Sequence, residues 1–157
     1  MLVLGRVPLD NKLDLWSLGC TVYELFTGSI LFSGNCNNDM LSWMMAYRGK
    51  FAPKMLRRCV NAPEHFNESE QWAYLHQVQD SVTRSKVIRV EYPAQLPTLD
   101  IKKSLLACVK LEGSFNESQS DMINLFADFL EKILTLNPEQ RITVEEALKH
   151  PFIAHIS

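Results

Sequence analysis

The stretch "DLWSLGCTVYELFTG", Asp14 to Gly28, sets one carboxylate at the head of a run that is otherwise almost wholly apolar. Within it Leu15, Leu18, Val22 and Leu25 fall on one face of a helix, while Trp16, Cys20 and Tyr23 occupy another. A helix over Asn11 to Thr27 is therefore predicted, and a helix apolar on most sides belongs in a core. Asp10 is the expected N-cap, and Gly28 is well placed to end the helix as a left-handed residue. Asp14 then lies near the end of the first turn. There it is either a solvated carboxylate favoured by the helix macrodipole or a buried group whose partner comes from elsewhere.

Working outward, the spacing of Met40, Leu41, Met44, Met45 and Tyr47 predicts a second, methionine-rich helix over Asn38 to Arg48, ended by Gly49. Lys50 to Asn116 is less regular, carries Pro53, Pro63, Pro93 and Pro97, and reads as an insert laid over a helical frame. Inside it "WAYLHQVQ" and "KVIRVEY" flank the polar turn "DSVTRS", which predicts a β-hairpin whose second strand is half-buried. Helical spacing resumes over Leu99 to Leu111. Between Asp121 and Leu136, Met122, Phe126, Phe129 and Ile133 share a face, so a further core helix is predicted, ended by Asn137-Pro138. Thr143 followed by Glu146 forms a capping box opening a short helix that stops before Pro151.

A chain of 157 residues with net charge −2 is the size of one domain and has the balance of an ordinary globular protein. That balance gives no reason to expect direct contact with nucleic acid or with an anionic membrane. No run is long enough to cross a bilayer, and the start lacks the basic head and apolar core of a secretory leader, so the chain is not expected to be secreted. The four cysteines, Cys20, Cys36, Cys59 and Cys108, are irregularly spaced and read as idle or buried thiols. Asn67-Glu68-Ser69 and Asn116-Glu117-Ser118 fit the glycosylation sequon but read as surface loop.

The sequence holds little catalytic chemistry of its own. None of the six glycines makes even a Gly-x-Gly, so no phosphate-cradling loop is present. No Gly-x-Ser-x-Gly elbow and no zinc-binding His-Glu-x-x-His occurs. His65, His76, His150 and His155 read as isolated residues rather than metal ligands. Asp128-Phe129-Leu130 imitates a magnesium-binding Asp-Phe-Gly, yet it lies mid-helix, with Phe129 facing the core and Asp128 facing outward. Lys50, Lys54, Arg57 and Arg58 form a basic cluster that is either a solvated face or a docking surface for an acidic partner. Trp43 and Tyr47 on the preceding helix would strengthen the docking reading if exposed.

Two longer pieces, "DLWSLGCTVYELFTGSILFSG" and "ILTLNPEQRITVEEALKHPF", with the insert between them, resemble eukaryotic protein kinases. The first resembles the F helix of the C-terminal lobe and the loop after it, the second the closing helices of that lobe. Their order and separation suit the CMGC group of Ser/Thr kinases. Within the insert, "KFAPKMLRRC", "HFNE" and "DSVTRSKVIRV" resemble the pre-mRNA-processing kinases associated with the spliceosome. The resemblance implies a mainly α fold: a single partial kinase domain over residues 1–157, spanning the F to I helices, with a CMGC-type insert at about 50–116 that contains the hairpin.

By the same resemblance, Asp14, Trp16, Gly19 and Arg141 are structural motif residues. Asp14 matches the aspartate that accepts hydrogen bonds from the backbone of the catalytic loop, and Arg141 matches the arginine that pairs with the glutamate of Ala-Pro-Glu. "LVLG" at residues 2–5 resembles the segment just after that glutamate. No catalytic residue, cofactor site or metal site is then expected in these residues; ATP and magnesium would be used by the complete parent kinase. The implied activity is ATP-dependent phosphorylation of Ser or Thr on protein substrates, including spliceosomal proteins, in the nucleus or otherwise the cytoplasm. Two non-enzymatic alternatives are a protein-interaction module derived from a truncated kinase paralogue and an unrelated helical adaptor. With their partners absent, Asp14 and Arg141 are expected to open to water, because a buried charge without a partner costs about 3–5 kcal/mol. The face of the first helix that would lie under the catalytic loop is expected to be an exposed apolar patch.

Overall fold

The computed structural model describes residues 4–5, 10–110 and 117–156. Asn116 of the second sequon and residues 2 and 3 of the 2–5 segment fall outside the described residues, as does the side chain of His155. The elements in chain order are helix α1 (Asn11–Thr27), α2 (Asn37–Arg48), α3 (Pro53–Leu56), strand β1 (Phe66–Asn67), β2 (Ala73–Gln79), β3 (Lys86–Glu91), then α4 (Ile101–Lys110), α5 (Glu117–Ile133), α6 (Val144–Leu148) and α7 (Pro151–Ile156). They fall into two compact units. One holds α2, α3 and the sheet, within Phe32–Thr98; the other holds α1 and α4 to α7.

In the helical unit, α1 packs against α4, α5 and α6, and α7 closes on α5 and α6. The Asp10 carboxylate accepts the Lys12 amide at 3.1 Å, and Gly28 ends α1 at φ 68° with its amide donating to the Glu24 carbonyl. Leu15, Trp16, Gly19 and Tyr23 are the buried residues of α1. The expectation of a helix covered on most sides is therefore corrected, since Leu18 is 45% and Leu25 80% exposed. Periodicity reports that two faces are apolar but not which of their positions are covered, and Leu18 and Leu25 are left bare. Phe26, 42% exposed, still meets the Phe126 ring at 5.3 Å.

Helix α5 starts at Glu117, one turn earlier than the apolar periodicity indicates, because its first turn is polar. Ile123, Phe126, Ala127, Phe129, Leu130 and Ile133 are its buried stripe. The capping box opens α6 as expected: Thr143 Oγ1 accepts the Glu146 amide at 3.2 Å, and Glu146 Oε2 accepts the Thr143 amide at 2.7 Å.

In the sheet unit, the strands run β1-β2-β3, all antiparallel, with Phe66 opposite Tyr74 and His76 opposite Arg89. The hairpin of β2 and β3 matches the expectation; β1, two residues long, is too short to carry a pattern. One correction is required for β3, all six residues of which are exposed rather than half-buried. Helix α2 packs against β2, where Ala73 and Tyr74 are buried, and β3 continues the sheet from there as an edge. Its alternation of apolar and polar residues reflects strand propensity without burial. Gly49 ends α2 at φ 76°, and a Cβ there would stand 2.7 Å from the Gln95 carbonyl oxygen, so both conformation and space require glycine.

Candidate functional site

The first candidate lies in the helical unit. Asp14 occupies the first turn of α1 and is exposed, and its carboxylate has no hydrogen bond or ion pair among the described residues. That agrees with a carboxylate open to water. Arg141 behaves otherwise. It is 2% exposed, its Nε and Nη2 donate to the Thr135 carbonyl at 3.0 and 2.9 Å, and its Nη1 donates to the Lys12 carbonyl at 2.6 Å. Its guanidinium carbon stands 4.9 Å from the centre of the Trp16 ring.

The expectation that Arg141 opens to water is thus corrected, and the reason lies in helix ends. Thr135 follows α5 by two residues, where carbonyls lack amide partners and cations are favoured, and the planar guanidinium presents two N–H groups to that one oxygen while a third reaches the Lys12 carbonyl. Burial pulls the Arg141 pKa down to about 10, opposed by the nearby Asp10 carboxylate. The cation remains charged at neutral pH. Lys12 adds a second tie across the same gap, its Nζ donating to the Pro138 carbonyl at 2.9 Å. Gly19 completes the group by permitting close approach, for a Cβ there would sit 2.8 Å from Leu134 Cδ2.

Near α7, Asp128 is less idle than its outward placement implies. It is half exposed, but its Oδ2 accepts from Lys132 Nζ at 2.7 Å and from His150 Nε2 at 2.9 Å. Because His150 Nδ1 accepts the Phe152 amide at 3.2 Å, the ring proton sits on Nε2. Lys132 and His150 hold the Asp128 carboxyl below the usual range, the lysine hydrogen bond being the larger cause. The contact is a structural clip joining α5 to the start of α7.

The second candidate lies in the sheet unit. Trp43 is 38% exposed and stacks on Tyr47 at 6.3 Å, while Tyr47 meets Phe32 edge-on. Lys50, Lys54, Arg57 and Arg58 are all exposed. The aromatic pair and the basic residues do not converge on one spot. Met45 lines a cleft with Lys50, and at about 100° per residue Trp43 and Tyr47 lie on the far side of α2 from Met45. Arg57 instead joins Glu68 at 3.0 Å and lies over the Trp72 ring at 6.0 Å.

Two residues of this unit were not singled out by the sequence. Asn38, 1% exposed, uses its whole amide: Oδ1 accepts from the Tyr74 hydroxyl at 2.7 Å and the Gln77 amide at 2.8 Å, and Nδ2 donates to the Leu75 carbonyl at 2.9 Å and to His65 Nδ1 at 3.1 Å. Nothing in an asparagine at a helix start distinguishes it from a cap. Trp72 sits at φ 62° directly after Gln71 at φ 57°, a left-handed pair of non-glycine residues immediately before β2. The sequence reads Trp72 as the first residue of the strand run.

Among the described residues no three His, Cys, Asp or Glu side chains converge to hold a metal ion. All four cysteines are free, and burial pushes the Cys20 thiol up to about 11, so it is protonated at neutral pH. Among the described residues no helix is long and apolar enough to cross a membrane.

The helical frame built on α1, with its exposed aspartate and buried closing arginine, is that of a protein kinase C-terminal lobe, and the family model for the protein kinase domain matches residues 2–153. The chain belongs to the protein kinase family. It is 38% identical over 151 residues to the serine/threonine-protein kinase prp4 of Schizosaccharomyces pombe, covering 96% of this chain and 30% of that protein. It is also 38% identical over 152 residues to the serine/threonine-protein kinase prpf4B of Dictyostelium discoideum, covering 97% and 18%. Homeodomain-interacting protein kinase 1 of Caenorhabditis elegans matches at 30% over 166 residues, 97% of this chain and 19% of that one. The resemblance to CMGC kinases of the Prp4 type is therefore shown, and the chain spans less than a third of the length of these relatives.

Proposed function

We propose that these residues are the holding part of a protein Ser/Thr kinase: they anchor the catalytic loop through Asp14 and offer α2 and the insert to protein substrates or partners. The observation that carries this reading is Asp14 itself. A carboxylate in the first turn of a helix packed on one side only, beside exposed Leu18 and Leu25 and without a partner among the described residues, is arranged to receive backbone amides from another segment. The family match over residues 2–153 supports the same role. The complete kinase would use ATP and magnesium, and phosphoryl transfer needs positioned phosphates, metal ligands and a residue orienting the attacking hydroxyl. The sequence supplies no glycine-rich loop, His-Arg-Asp or Asp-Phe-Gly for these tasks. The similarity within the insert extends the proposal to a nuclear kinase acting on proteins of pre-mRNA splicing. The chain on its own does not transfer phosphate. Incorporation of labelled phosphate into a basic protein, with this chain, ATP and magnesium, stays at the level without enzyme; turnover well above that level refutes the reading.

A further inference from the structure

The sheet unit contains an open cleft of about 130 Å³ whose floor is apolar and buried, formed by Phe51, Leu56 and Phe66, each at most 3% exposed. Trp72 and the 69%-exposed Tyr92 stand at its sides, Lys50 reaches into it, and no carboxylate lines it. A cavity of about 150 Å³ lined by similar side chains accommodates a benzene ring, so this space suits one aromatic or branched aliphatic side chain.

Two further features single it out. Trp72 is held in the left-handed region together with Gln71, a conformation that is strained for non-glycine residues and is concentrated at ligand clamps. Arg57 lies over the Trp72 ring while bound to Glu68, which places a second cation beside the wall with its charge already partly answered. Among the described residues Lys50 forms no ion pair at the cleft, and Lys54 is exposed on the adjoining helix α3.

We infer that this cleft is a docking site for an acidic, extended segment of a partner protein, which inserts one apolar side chain onto the Phe51/Leu56/Phe66 floor and sets its carboxylates against Lys50 and Lys54. A cationic rim over an aromatic floor selects against a basic or purely polar peptide. A single lining cation on a chain of net charge −2 is too few to hold a nucleic-acid backbone. The inference rests on the docking half of the proposed function and is independent of its catalytic half.

The test uses the full 157-residue chain and a fluorescein-labelled dodecapeptide of Asp and Glu with a central Phe, read by fluorescence anisotropy without ATP. Comparators are the same peptide with Ser for Phe, a peptide with Lys for every acid, and a twelve-nucleotide oligouridylate. The acidic Phe peptide is expected to bind about tenfold or more tightly than each comparator, a difference of about 1.4 kcal/mol. Lys50→Glu and Trp72→Ser should each weaken it at least about fivefold, with unchanged far-UV circular dichroism. Lys50 is exposed, so its variant keeps the test decisive should Trp72→Ser misfold. Absence of saturable binding, equal binding of the Ser peptide or the oligouridylate, or an unaffected Lys50→Glu variant overturns the inference. None of these results bears on phosphoryl transfer, so failure here and failure of the kinase reading remain distinct.

Discussion

Replacing Arg141 by methionine removes a buried cation while keeping most of the side-chain volume, and the structure sets the size of the effect. Burial lowers the Arg141 pKa from the usual guanidinium value to about 10, a cost to the charged form on the order of 3 kcal/mol. Against this stand three hydrogen bonds from a charged donor, two of them sharing the Thr135 oxygen. At the lower end of about 1.5–3 kcal/mol each they sum to about 5 kcal/mol. The Trp16 face adds about 1 kcal/mol. The balance favours arginine by about 3 kcal/mol, within the range of about 3–5 kcal/mol seen when one member of a buried charged contact is removed. With a urea slope of about 2 kcal/mol/M, Arg141→Met should lower the unfolding midpoint of the helical unit by about 1.5 M. Circular dichroism of the α-helices reads the transition. Arg141→Lys retains the charge but lacks the planar fork, and should fall between the two. A methionine variant as stable as the native chain would refute the reasoning, because it would show that the carbonyls do not offset the burial of the cation.

Asn38→Ala strands the Gln77 amide and the Leu75 carbonyl, while the Tyr74 hydroxyl keeps the backbone carbonyl of residue 38 at 2.5 Å, and should destabilise the sheet unit by about 2–4 kcal/mol in urea titration. Burial lowers the His65 pKa below 6.5, so between that lowered value and 6.5 the unfolded chain binds more protons. The stability contribution of His65 is therefore fully present above pH 6.5 and lost as pH falls through its folded value; a His65→Gln variant should show a shallower decline between pH 7 and pH 5. Gly19→Ala forces a methyl against Leu134 at a cost of about 1–3 kcal/mol, partly offset by about 1 kcal/mol of helix propensity, for a net loss of about 1 kcal/mol by thermal melting.

Much of this fold is legible in the sequence because its signals are local. Asp10 and Gly28 bracket α1, Gly49 ends α2, and the Thr143/Glu146 box opens α6, each through contacts within a few residues. The candidate site is less legible because it depends on what lies opposite. The apolar positions of α1 do not reveal that Leu25 faces solvent while Leu15 does not. Arg141 is identifiable by resemblance, but the carbonyls that hold it come from Lys12, 129 residues away in sequence, and from an irregular segment after α5. Asn38 and Trp72 escape for a related reason, since neither long-range amide networks nor left-handed tryptophans have a sequence signature.

Asp14 is proposed to hold a catalytic loop supplied by another part of a kinase. The most direct test places residues 2–153 in the matching stretch of the fission-yeast kinase and measures phosphate transfer to a protein substrate with and without Asp14→Ala. The graft should be active and lose at least about a hundredfold in rate when the anchoring carboxylate is removed, the scale of a catalytic group displaced by about 1 Å. An active graft indifferent to Asp14→Ala, or a folded graft with no activity, would contradict that role.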